Sequence, residues 1–256
     1  MDYSKLAQAG LPFEGEFFFA RNKKYEDLIF FVHFYEGKKR QLLRHIKFVN
    51  ELGFDAFAFH LQGTHRNLLS WRPPLSKHGD FGIKHVYADQ IEFMLNKIPG
   101  KKIIFSFSNP SSSAIEALAR RQCMDISALI CDSGPSARFL DSALSLASHE
   151  YSIQLRPLKW SLIPVISLGW SLCLHKDVHQ HLNIFPAGFK ILSIRGWRDK
   201  LIAPNHIDEI FEPHHQLDWT KLSLPEAEHL AGLRDFKEEY RPAVEKFLSG
   251  VGHPLK

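Results

Sequence analysis

The chain has 256 residues, 45% of them hydrophobic and 23% charged, with a formal net charge of +4. That length and balance fit one folded body with a sizeable core and exclude a disordered chain. The modest positive charge is spread along the sequence, which excludes a nucleic-acid-binding footprint. Three widely spaced cysteines, Cys123, Cys131 and Cys173, give neither a disulfide framework nor a metal knuckle, and a reducing, cytoplasmic setting is the simplest expectation. The first sixteen residues show no cationic start followed by an apolar core, so no secretory signal is read there.

Strand and helix patterns alternate along the chain, which predicts an α/β fold, a mostly parallel sheet with helices on both faces. Residues 13–23 read as an N-terminal strand and 27–34 (DLIFFVHF) as a fully buried one. Residues 38–52 carry helical periodicity through Leu42, Leu43, Ile46 and Val49, stopping at Gly53. A strand at 56–61 precedes a loop at 64–80 and a helix at 83–97. A strand at 102–107 follows, then a helix after Ser108, then a short strand at 128–131.

From 135 to 185 the alternation breaks into a Leu-, Ser-, Trp- and Pro-rich stretch, read as a helical insertion. Domains are therefore expected at 1–134 with 186–256 for the body, and at 135–185 for a helical cap. Residues 160–174 are apolar but too short, at fifteen, to span a bilayer; peripheral membrane contact through Trp160 to Leu174 is one role for them. The alternation resumes with strands at 189–194 and 221–224 and helices near 205–211 and 236–248.

The segment most informative about chemistry is 103–113, IIFSFSNPSSS: an apolar strand, a lone serine, then a helix start. Such a turn exposes a serine above the sheet beside free helix N–H groups that favour developing negative charge. Acyl transfer to Ser108 needs a base and a carboxylate to orient it. His229, between the last strand and last helix, suits the base, and Asp199, just past the preceding strand, suits the acid; Asp132 is the rival carboxylate.

The order Ser108, Asp199, His229 resembles that of the α/β-hydrolase superfamily, over about residues 27–248. The resemblance rests on 31–35 (FVHFY), like the family's oxyanion turn; on 51–59 (ELGFDAFAF), like a core strand; and on 194–199 and 228–230, like its acid and base segments. It implies a catalytic triad, no cofactor and no metal. It also implies oxyanion donors in the backbone N–H of Asn109 and of Phe34 or Tyr35. The elbow departs from Gly-x-Ser-x-Gly, with Ser106 and Pro110 at the glycine positions, and Phe34 stands where glycine is frequent. His33 is expected to brace the oxyanion turn.

The expected activity is that of a serine hydrolase cleaving a small-molecule ester or thioester with an apolar acyl group. An acyltransferase, or a hydrolase-like binding protein with little turnover, are the alternatives. His175, His179 and His181 include an i, i+4 pair but have no carboxylate at ligand spacing, so no metal site is read there. The basic run Lys38-Lys39-Arg40 with Arg44 is a solvated face that could draw an anionic substrate.

Overall fold

The computed structural model describes residues 3–8, 10–63, 74–149 and 156–255. Its centre is a seven-stranded sheet of order β1-β3-β2-β4-β5-β6-β7. In chain order the elements are α1 (Ser4–Gln8), β1 (Glu16–Phe18), β2 (Leu28–Val32), α2 (Leu43–Leu52), β3 (Asp55–Ala58), α3 (Ile83–Lys97), β4 (Lys102–Phe107) and α4 (Pro110–Arg120). Then come β5 (Ile126–Asp132), α5 (Phe139–His149), α6 (Arg156–Trp170), α7 (Val178–Leu182), β6 (Lys190–Gly196), α8 (Pro204–Phe211), β7 (Asp218–Leu224), α9 (Gly232–Asp235) and α10 (Lys237–Val251).

All neighbouring strands run parallel except β1, which pairs antiparallel with β3 at one edge. The strand expected at 13–23 is thus only Glu16–Phe18, because a 3-10 turn at Pro12–Glu14 takes up its start. Helix α2 is also shorter than its periodicity suggested, since Lys39–Leu42 winds as a 3-10 turn first. Its end is as expected: Gly53 takes φ 102°, a left-handed stop that costs glycine nothing.

The buried run of β2 follows from the period of two along a strand covered on both faces. Leu28, Phe30 and Val32 join one core with α3, α4 and α8, while Ile29 and Phe31 join a second with α2 and α10. Helix α4 is buried along Pro110–Ala119. Its Ser111, Ser112, Ser113 and Ala114 are small enough to let the helix lie close under the layers above it.

Between β5 and β6 the chain forms α5, α6 and α7 and stands apart from the strand–helix alternation. Residues 64–73, expected as a loop, lie outside the described residues. No helix among the described residues is long and apolar enough to cross a membrane. In and after α6, Ile163 and Trp170 are buried while Val165, Leu168 and Leu172 are exposed. All three cysteines are free thiols, Cys123 and Cys131 buried and Cys173 exposed.

Three histidines are locked neutral inside this body. Burial pushes His33 down to about 4, and His45 and His175 to about 3. A histidine whose folded pKa is depressed contributes fully above its unfolded value and loses that contribution as pH falls below it. The expected result is an unfolding free energy about 3–4 kcal/mol smaller at pH 5.5 than at pH 7.5, measured by urea titration. A flat profile over that window would contradict neutral burial of these rings.

Candidate active site

Strand β4 ends at Phe107, and Ser108 turns the chain into α4 with a left-handed backbone, φ 56°. A non-glycine residue held there stores strain that its surroundings must fix. They do so through backbone bonds: Ser108 N–H donates to the Asp132 carbonyl at 2.8 Å, and the Ser108 carbonyl accepts from Ser111 N–H at 3.0 Å.

The two missing glycines are absorbed in different ways. Ser106 is fully buried and turns its hydroxyl into the sheet, donating to the Ile130 carbonyl at 3.0 Å. Pro110 takes the first position of α4, where no N–H is needed, and so costs the helix nothing. The close approach that a glycine usually permits is supplied by Gly134 on the next strand's exit. A Cβ there would lie 2.4 Å from the Ser108 carbonyl oxygen and 2.5 Å from its carbon.

Gly134→Ala is therefore expected to cost about 3 kcal/mol, because backbone rather than a flexible side chain stands in the way. That is a fall of roughly 6–12 °C in Tm for a chain of this size. Thermal denaturation checks it, and an unchanged Tm would mean that the elbow can yield.

Asp199 and His229 both come to the serine. His229 Nε2 lies 3.1 Å from Ser108 Oγ, and its Nδ1 lies 2.6 Å from Asp199 Oδ2. The other oxygen of Asp199 accepts from the N–H of Leu201 and of Ile202, each at 2.8 Å. The carboxylate is 1% exposed and the imidazole 16%. Gly196 allows this convergence, since a Cβ there would stand 2.2 Å from the Ala227 carbonyl oxygen on the histidine's loop. Asp132, the rival acid, points elsewhere: Tyr240 hydroxyl donates to it at 2.7 Å and Ser133 hydroxyl at 2.9 Å.

Phe34, Tyr35 and Asn109 line the same cavity as Ser108 and His229. Among the described residues the N–H groups of these three donate to no backbone carbonyl. His33 is wired as a brace beneath them. Its Nδ1–H donates to the Phe34 carbonyl at 2.7 Å and its Nε2 accepts from Leu61 N–H at 2.8 Å.

The cavity has a volume of about 770 Å³. Its far wall comes from the helices between β5 and β6, through Phe139, Leu146, Val165, Ile166, Leu168 and Trp170. Glu36 is the carboxylate on its lining, and no lysine or arginine is found there among the described residues. The Lys38–Arg40 run does not reach it; Lys39 instead bonds the Glu14 carbonyl and pairs with Glu16 at 2.8 Å.

Two features escaped the sequence reading. His175 is buried under the serine turn and ties three segments together. Its Nδ1–H donates to the Ser136 carbonyl at 2.6 Å, and its Nε2 accepts from the Trp170 indole at 2.6 Å. Ser112, whose hydroxyl donates to the Asn109 carbonyl at 2.7 Å, lies 3.1 Å from the same ring nitrogen. The second feature corrects the reading that no carboxylate stands at ligand spacing from the histidines, since Asp177 lies four residues before His181. The fold brings Glu116 and Asp177 within ligand distance of His181. The buried Lys84 ammonium bonds both carboxylates and supplies the cation there. The tie from His175 to Ser112 and the approach of Glu116 join residues more than sixty positions apart, while Asp177 and His181, four apart, were the local signal available.

A mostly parallel sheet with helices on both faces, carrying a serine on a strand–turn–helix elbow, is the α/β-hydrolase fold. Solved structures agree with that class. An esterase from Pyrococcus furiosus is 15% identical, with a TM-score of 0.64 over 98% of this chain and 96% of that one. A thermostable carboxyl esterase from Bacillus coagulans is 16% identical, with a TM-score of 0.65 over 93% and 94%. A monoacylglycerol lipase from Paleococcus ferrophilus is 16% identical, with a TM-score of 0.60 over 92% and 98%. No family model and no curated protein matches the sequence.

Proposed function

We propose that the chain is a serine hydrolase that cleaves a small carboxylic ester or thioester with an apolar acyl group. The observation that carries this reading is the continuous hydrogen-bonded line from Asp199 through His229 to Ser108, opening into an apolar cavity. Ser108 Oγ attacks the acyl carbonyl while His229 Nε2 takes its proton, and Asp199 holds the imidazolium. The N–H groups of Asn109 and of Phe34 or Tyr35 receive the negative charge on the tetrahedral oxygen. The intermediate then collapses, the leaving group departs with the proton from His229, and water releases the acyl group by the reverse sequence.

Helices α5 and α6 act in this reading as a cap, since their side chains line the cavity that Ser108 opens on. An apolar wall favours an acyl chain over a polar or anionic group, and the absence of lysine and arginine from the described lining argues the same way. The esterase and lipase neighbours lend support at the level of the fold.

A panel of ester and thioester substrates from acetyl to long acyl chains tests the reading. Hydrolysis is expected to rise with acyl length until the cavity is filled and then to fall. No turnover above background on any member would overturn it, and equal rates across the panel would refute the acyl-binding role of the cavity. Adding alcohol or thiol acceptors to the same assay separates hydrolysis from acyl transfer.

A further inference from the structure

Beneath the histidine's loop lies a second buried carboxylate with its own hydrogen-bond set. Asp132 closes β5 and is 2% exposed. Tyr240 of α10 donates to Oδ2 at 2.7 Å, and the hydroxyl of Ser133 donates to Oδ1 at 2.9 Å. The Ser133 oxygen in turn accepts the N–H of Leu230 at 3.2 Å. Leu230 directly follows His229 and is held left-handed at φ 56°, as is Ser133 at φ 56°. A leucine kept in that region needs an anchor, and the Ser133 oxygen supplies one.

Burial pushes the Asp132 carboxyl up to about 6, against the bonds from Tyr240 and Ser133 and the attraction of His229, with Asp199 adding to the rise. An ionised group kept dry in this way is a cost to the fold at neutral pH. The other titratable groups facing it are few. His45 of α2 stands 3.9 Å from Oδ2, is held neutral by its own burial, and has neither ring nitrogen hydrogen-bonded within the protein. Tyr240 stays protonated, raised by burial and by Asp132 itself.

We infer that Asp132 is a positioning residue for His229: through the Ser133 hydroxyl it fixes the turn that directly follows the imidazole. The inference rests on the reading of His229 as the general base. It gives the Asp132–Tyr240 pair a purpose beyond joining β5 to α10.

Two variants test it: Asp132→Asn and Ser133→Ala, each compared with wild type in kcat, KM and Tm. Asp132→Asn is expected to lose roughly 10–100-fold in kcat with KM little changed, because an amide can accept from only one of the two hydroxyls that the carboxylate now holds. Above pH 6 its Tm should equal or exceed that of wild type, because a carboxyl with a raised folded pKa subtracts stability once ionised. Ser133→Ala removes the anchor outright, so kcat should fall by a similar factor, again with KM little changed.

A folded Asp132→Asn with wild-type kcat overturns the proposal. If that variant does not fold, Ser133→Ala decides, and wild-type kcat there overturns the proposal. Absence of ester turnover in wild type would count against the hydrolase reading, and the rate of fluorophosphonate labelling at Ser108 in the same variants then decides this one.

Discussion

Ser108→Ala is expected to abolish labelling by a fluorophosphonate probe and to lower kcat/KM for any accepted ester by about 10⁵–10⁶-fold. The size follows from what the hydroxyl does. It is the only atom at the elbow that lies within 3.1 Å of the base and opens on the cavity among the described residues. Neither Ser106 nor Ser112 can replace it, because both hydroxyls are buried and engaged with the carbonyls of Ile130 and Asn109. The fold should survive: alanine keeps the Cβ, and the backbone bonds of residue 108 to Asp132 and Ser111 do not involve the side chain. Because Ser108 and His229 act as one unit, Ser108→Ala with His229→Ala should be no slower than either alone. Labelling of the alanine variant at the wild-type rate would remove Ser108 from the mechanism.

Much of this was legible in the chain because α/β architecture writes itself locally. The buried run of β2, the Gly53 stop and the strand–serine–helix transition at 103–113 are each decided by neighbours in sequence. The order Ser108, Asp199, His229 could be read because each residue follows a strand that ends at the same edge of the sheet. What was illegible depends on contacts between distant segments. The elbow looked deficient in the sequence because Ser106 and Pro110 occupy its glycine positions, and the compensating residue, Gly134, belongs to a different strand. Asp132 was visible as a carboxylate at a strand end, but nothing local says that the Tyr240 hydroxyl, more than a hundred residues later, takes one of its oxygens. The Lys38–Arg40 run reads as a solvated face that could draw an anionic substrate, whereas Glu14 and Glu16 on the preceding segment engage Lys39 and the cavity wall carries Glu36 instead.

The second large effect belongs to Asp199→Asn, expected to lower kcat by about 10⁴-fold at pH 7 while the loop stays in place. One oxygen of Asp199 accepts from Leu201 and Ile202 N–H, and the other faces His229 Nδ1 at 2.6 Å. In the amide the oxygen must remain on the two backbone donors, since turning it away would leave the Leu201 and Ile202 N–H groups facing an NH₂. The NH₂ is then forced toward His229 and can only donate. Nδ1 becomes the acceptor, the proton moves to Nε2, and the atom that should take the proton from Ser108 already carries one. A carboxylate is thus required by the direction of a single hydrogen bond, with charge stabilisation of the imidazolium added to it. Two measurements separate this account from simple unfolding. The Tm should stay close to wild type, and KM for a slow ester should change little while kcat collapses. Raising the pH should bring some activity back, because hydroxide can then accept the proton that His229 cannot. An Asn variant retaining more than about a tenth of wild-type kcat would mean that another carboxylate orients the histidine, and Asp132 would be the first to test.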